Sequence, residues 1–226
     1  MAIRFKRKTP TTWKDEEIRT KSLKIKYSLK RGTVMFPSSH DITPKFLNET
    51  ILILNNILAF GNSVLIVTKP HIECIKEICE TFPKYKDQIL FRFTIGSSSN
   101  TVLRFWEPGA PVFEERLKCL RYAFEHGYQT SVSCEPMLDK QTDRLIDLLL
   151  PYISESIWVG KANYLIKRMR INGVNDKESI ERAEKLYEWQ SNNDNILKLY
   201  RRYCDNPKIK WKESIKRILN ESALIY

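Results

Sequence analysis

The chain has 226 residues, 42% hydrophobic and 29% charged, with only 7 glycines. That composition excludes a disordered or fibrous protein and suits one α/β domain with a sizeable core. No apolar run is long enough to span a membrane, and the basic opening MAIRFKRK lacks the apolar stretch of a secretory leader, so the cytoplasm is the expected compartment.

The net charge of +11 is unevenly placed. Residues 1–32 carry +8, residues 33–160 carry −3 and residues 161–226 carry +6. Basic ends around a slightly acidic body suit either a nucleic-acid partner gripped through its phosphates or a plain solvated surface. The five cysteines (Cys74, Cys79, Cys119, Cys134 and Cys204) are odd in number and show no metal-ligand spacing. They are expected to be free and mostly buried thiols.

Residues 1–32 form a basic amino-terminal segment without a clean period, either a tail or lid or an arm that grips phosphate. Ile18, Leu23, Ile25 and Tyr27 hint at a short amphipathic piece within it, and Gly32 ends it. A short strand, Thr33 to Phe36, then stops at Pro37 before the polar loop Ser38-Ser39-His40-Asp41. Thr43 and Pro44 open a helix to about Phe60, with Phe46, Ile51, Leu54, Ile57 and Leu58 at helical spacing and Gly61 after its end.

Ser63 to Val67 is a continuous apolar strand that ends at Thr68-Lys69-Pro70. A helix over His71 to Phe82, a strand over Ile89 to Ile95 and a helix over Phe113 to His126 follow. A strand over Gln129 to Cys134, a helix over Gln141 to Leu150 and a short strand over Ser156 to Val159 complete the alternation. Five strands separated by helices predict a parallel sheet with right-handed crossovers. No dinucleotide or NTP phosphate loop is present, so a (β/α) barrel-like arrangement is favoured, with polar loops on one rim. Residues 164–226 read as a helical extension: a long helix from Lys177 to Tyr203, broken or kinked at SNNDN, a turn at Asp205-Asn206-Pro207, and a last helix from Trp211 to Leu224.

Apolar strands twice stop at polar residues within Arg92 to Asp139, which marks this stretch as a wall of an active site. Several segments in order, GTVMFPSSHDI, VLIVTKPHIECI, FRFTIGS, FWEPGAPVFEERL, SVSCEPMLD and SIWVGKAN, resemble the radical SAM enzymes. The likeness is to the spore photoproduct lyase or DNA repair photolyase-like branch and covers more than half the chain.

The resemblance implies a partial parallel barrel over residues 33–163 that binds S-adenosylmethionine along its carboxyl rim. In the family a [4Fe-4S] cluster cleaves that molecule to a 5′-deoxyadenosyl radical. The cluster is held by three cysteines spaced C-x-x-x-C-x-x-C, and this chain has no such triplet. With five strands against the family's six, the first βα unit is the one expected to be missing. Met1 then stands for an internal methionine of a truncated protein, an exposed edge lies at Thr33 to Phe36, and the isolated chain is expected to be inactive and marginally stable.

By the same resemblance, Lys69 would hold the carboxylate of S-adenosylmethionine, and Ser38, Ser39, His40 and Asp41 stand where its amino group is met. Thr94, Gly96 and Ser97 suit ribose or carboxylate, Glu135 would orient a ligand, and Gly160 and Asn163 resemble an adenine-contacting segment. The plainer alternatives are a rim salt bridge for Lys69, tight turns at Gly96 and His40, a Glu107–Arg116 pair that fixes its loop, and a buried strand thiol at Cys134. Substrate is not specified by a family likeness. The alternatives to the enzyme are a nucleic-acid-binding protein and a half that works with a separate polypeptide carrying the cluster motif.

Overall fold

A computed structural model describes residues 27–223, with side chains to residue 220, and residues 17, 18, 23 and 25 before them. Most of the basic amino-terminal segment, with the lid or arm read into it, lies outside the described residues.

The strands are β1 Val34–Phe36, β2 Val64–Thr68, β3 Ile89–Thr94, β4 Gln129–Cys134, β5 Ile157–Val159 and β6 Ile209–Trp211. All six pair in parallel, in chain order. β6 lies between the turn read at Asp205-Asn206-Pro207 and the last helix, and it takes Trp211, the expected first residue of that helix. The expected count of five is therefore corrected, and strand number no longer sets this chain one unit short of a six-unit barrel. Parallel strands added one after another, with helices between them, are compatible with a partial parallel barrel. Among the described residues β1 and β6 are the outer strands, and Met35 on β1 is 51% exposed.

The helices are α1 Leu47–Ala59, entered through a 3-10 turn at Pro44–Phe46, α2 Ile72–Thr81, α3 Asn100–Trp106, α4 Phe113–Glu125 and α5 Thr142–Leu149. After β5 come α6 Leu165–Ile171, α7 Lys177–Ser191, α8 Asn193–Tyr203 and, after β6, α9 Glu213–Ala223. Pro44 takes the first helical position, but the Thr43 side chain makes no capping bond. Gly61 and Gly127 follow α1 and α4 with φ of 78° and 77°, the left-handed conformation that ends a helix. The long helix read over Lys177 to Tyr203 is two: Asn192 ends α7, and its side chain accepts from the Asp194 N–H at 2.9 Å to start α8.

The two faces of the sheet differ. Right-handed crossovers in chain order put the helices on one side. On that side Val64, Ile66, Ile89, Phe91, Phe93, Val132, Cys134, Ile157 and Val159 are fully buried. Leu54, Ile57 and Leu58 of α1, Ile75 and Ile78 of α2, and Leu145, Ile146 and Leu149 of α5 belong to the same core. The alternate residues Leu65, Val67, Leu90, Arg92 and Thr94 are only half-buried and turn toward the open face. That open face meets the carboxyl ends of the strands at a polar rim.

Candidate functional site

The rim at the ends of β1 to β3 is built on alternating charge. The Arg116 side chain is fully buried, and its Nη1 meets Glu107 Oε2 at 2.6 Å. Its Nε donates to the Pro111 carbonyl at 2.7 Å and its Nη1 to the Thr94 carbonyl at 3.1 Å. The guanidinium thus pins the Glu-Pro-Gly-Ala-Pro loop to the end of β3. A charge withdrawn this far from water needs such a partner, and Glu107 supplies it.

On its other side, Glu107 Oε1 stands 4.0 Å from Lys69 Nζ, which reaches Asp41 Oδ2 at 3.2 Å. Asp41 is held in turn, because its Oδ1 accepts the Lys69 backbone N–H at 2.8 Å. The buried Thr68 hydroxyl accepts the Ile42 N–H at 2.9 Å, which fastens the loop after β1 to the end of β2. Asp41, Thr43, Lys69, His71, Trp106 and Glu107 line a cleft of about 410 Å³, together with the loop from Pro108 to Pro111. Its one lysine lies between two carboxylates. The larger depression, about 690 Å³ between Leu150 and Lys208, is lined at Lys208 by the segment that enters β6 at its amino end, away from this rim.

The rim at the ends of β4 to β6 is separate. Glu135 Oε2 pairs with Lys212 Nζ at 2.9 Å, and Lys212 Nζ also lies 5.1 Å from the centre of the Trp158 ring. A β-carbon on Gly160 would come within 3.0 Å of both Glu135 Cγ and Lys212 Cβ, so the glycine lets that pair close over the end of β5. Gln190, 1% exposed, crosses between the two nearby loops: its Oε1 accepts the Ala162 N–H at 2.7 Å and its Nε2 donates to the Met137 carbonyl at 2.8 Å.

Thr94, Gly96 and Ser97 lie between the two rims. A β-carbon on Gly96 would stand 2.7 Å from Leu138 Cγ and from the Pro136 carbonyl oxygen, so the close approach here is to the chain's own loop. The Ser97 hydroxyl is buried, donates to Asp139 Oδ2 and accepts the Ser99 N–H at 2.9 Å. Ser38, Ser39 and Asn163 are exposed. The predicted residues are therefore not one cluster. Lys69 and Asp41 share a cleft, Glu135 and Gly160 share the opposite rim, and Gly96 and Ser97 hold the wall between them.

The cysteines bear on the expected cluster. Cys74, Cys79, Cys119 and Cys134 are buried and free, and Cys204 is exposed and free. Burial, with Glu73 and Glu80 adding to it, pushes the Cys74 and Cys79 thiols up to about 12, and burial raises Cys119 and Cys134 as well. Cys134 belongs to the helix-side core, as the plainer reading had it. No group of three or more His, Cys, Asp or Glu residues suited to a metal occurs among the described residues. Neutral thiols dispersed in a core do not fit an iron–sulfur cluster, which takes thiolates gathered at one point.

Sequence reading passed over Arg92, Trp158, Gln190 and Lys212. For Arg92 a signal existed: in Phe91-Arg92-Phe93-Thr94 the alternation alone turns Arg92 and Thr94 away from the helices. No helix of the described residues is long and apolar enough to cross a membrane. No family model, curated protein or solved structure matches the chain.

Proposed function

We propose that this protein is of the radical SAM type and binds S-adenosylmethionine at its carboxyl rim, with the methionyl end in the Lys69 cleft. The observation that carries this is the placement of Lys69 between Asp41 and Glu107 in one cleft. An α-amino acid is a carboxylate beside an ammonium, and a lysine between two carboxylates is its complement. Asp41 then takes the ammonium and Lys69 the carboxylate, while Arg116 holds Glu107 in place. The Glu135 and Gly160 rim lies across the wall and faces the rest of the ligand.

Radical chemistry in this family starts at a cluster, and the residues of this chain do not fit one. On this reading the cluster ligands come from a separate polypeptide. Isothermal titration with S-adenosylmethionine tests the binding step alone. Wild-type protein is expected to bind at micromolar to low-millimolar concentration, and Lys69→Ala to bind at least tenfold more weakly, the scale of one charged hydrogen bond (about 1.5–3 kcal/mol). No heat of binding at millimolar ligand would end the proposal.

A nucleic-acid partner is the second reading, and α6 favours it. Lys167, Arg168 and Arg170 lie in a short segment flanked by Tyr164 and Ile171, each 73% exposed. Binding to single-stranded RNA or DNA that weakens steeply between 50 and 200 mM salt would support it. Binding indifferent to salt would not.

A further inference from the structure

The open face of the sheet holds a second charged feature, built on Arg92, Ser131 and Trp158, which do not line the Lys69 cleft. Arg92 is the middle of a fixed assembly. Its Nε donates to Ser131 Oγ at 3.1 Å, and the buried Ser131 hydroxyl donates onward to the Ser156 carbonyl at 2.6 Å. The guanidinium carbon lies 5.4 Å from the centre of the Trp158 ring. A serine with a committed proton and an indole face leave the head group little freedom.

Its other two nitrogens have no hydrogen-bond partner, and no carboxylate lies within 4.0 Å of Arg92, among the described residues. Burial pushes the guanidinium below its ordinary value, and Glu155 only partly opposes this. A half-buried cation with no carboxylate in contact is a costly arrangement unless something anionic joins it.

The surroundings suit such a guest. Thr94, Ser133, Trp158 and Lys210 form one register row across β3 to β6, directly beyond the row of Arg92 and Ser131. Thr94 and Ser133 bring hydroxyl groups to this row. The Trp158 Nε1 is buried and lacks an acceptor among the described residues.

We propose that Arg92 is the anchor of an oxyanion site on the open face, where its two unused nitrogens grip a phosphate or carboxylate of a bound ligand as a fork. The site does not depend on what fills the Lys69 cleft. A fork held in advance binds two oxygens of one oxyanion in parallel, which a lysine cannot reproduce.

Phenylglyoxal modification of the wild-type protein, mapped by peptide mass, tests this directly. The probes are inorganic phosphate, acetate and chloride at equal ionic strength. Arg92 is expected to react at least threefold more slowly with phosphate or with acetate than with chloride, and whichever protects names the kind of oxyanion. Equal rates in all three salts would overturn the site. In parallel, the protecting anion is titrated into Arg92→Lys and Arg92→Gln, with thermal transitions recorded. Affinity is expected to fall about tenfold in both, and unchanged affinity in a folded variant would overturn the fork. If neither variant folds, the protection experiment on the wild-type protein decides.

Discussion

The two faces of one sheet obey different rules. Phe91 and Phe93 are fully buried against helices, while Arg92 and Thr94, one residue along the same strand, are half-buried on the other side. The helix side has no open polar head group on β3, and its residues are fixed by volume. The open side keeps a guanidinium, hydroxyls and an indole, which a packed core has no use for. Stability and ligand recognition are thus separated by the alternation of β-strand side chains, and every substitution can be assigned to one side before it is made.

The sharpest way to break that comparison is to change one residue on each face of neighbouring strands. Phe91→Ala is expected to lose about 3–5 kcal/mol in urea unfolding, because the surrounding core closes only partly over the space left. Ser133→Ala, on the open face of the neighbouring strand, should stay within about 0.5 kcal/mol of wild type. Similar losses from both would mean that the open face is also packed.

Glu107→Gln comes next in size. It leaves the fully buried Arg116 without its counter-charge, and a loss of about 3 kcal/mol is expected from the penalty for an unpaired buried ion. A loss below about 1 kcal/mol in the same unfolding assay would remove Arg116 as the pin of the rim. Gly96→Ala places a carbon 2.7 Å from the Leu138 side chain and the Pro136 carbonyl, and overpacking of this kind costs about 1–3 kcal/mol. A variant as stable as wild type would show that this wall gives way easily.

A pH dependence belongs to the helix side, and near neutral pH it has no effect. Cys74 and Cys79 ordinarily titrate near 9.0 and are raised to about 12 in the folded chain, first by burial. The native state therefore keeps protons that the unfolded state releases in this interval. Their contribution is whole below about pH 9 and is lost as pH rises toward 12. A melting temperature that falls across this window, and falls less in Cys74→Ala, is the expected result. A shift identical in wild type and variant would assign the loss elsewhere.

How much of this was legible in the sequence depends on how far each residue's partner lies along the chain. Continuous apolar runs such as Val64-Leu65-Ile66-Val67 announce buried strands, and five of them were readable. Ile209-Lys210-Trp211 was passed over, although Lys208 to Lys212 alternates polar and apolar residues with a strand's period; the run is short and lies between a turn and a helix, and pairing with β5 makes it a strand. The α3 helix was hidden behind Ser97-Ser98-Ser99, although the Ser99 side chain caps it.

In the site, Lys69 was visible because a cation at the end of an apolar strand is misplaced for a core. The Glu107–Arg116 pair was legible too, from short spacing across one loop. The ties of Gly96 to Leu138, Ser97 to Asp139 and Gln190 to Met137 join residues far apart in sequence and appear only in the folded chain.

Hydrogen–deuterium exchange with and without S-adenosylmethionine tests the central claim most directly, because it reports where the ligand sits as well as whether it binds. Protection is expected in residues 41–43, 69–72 and 106–111, with the amides of the α1 and α5 core unchanged. Protection confined to the α6 segment, or no change at saturating ligand, would contradict a methionyl site in the Lys69 cleft.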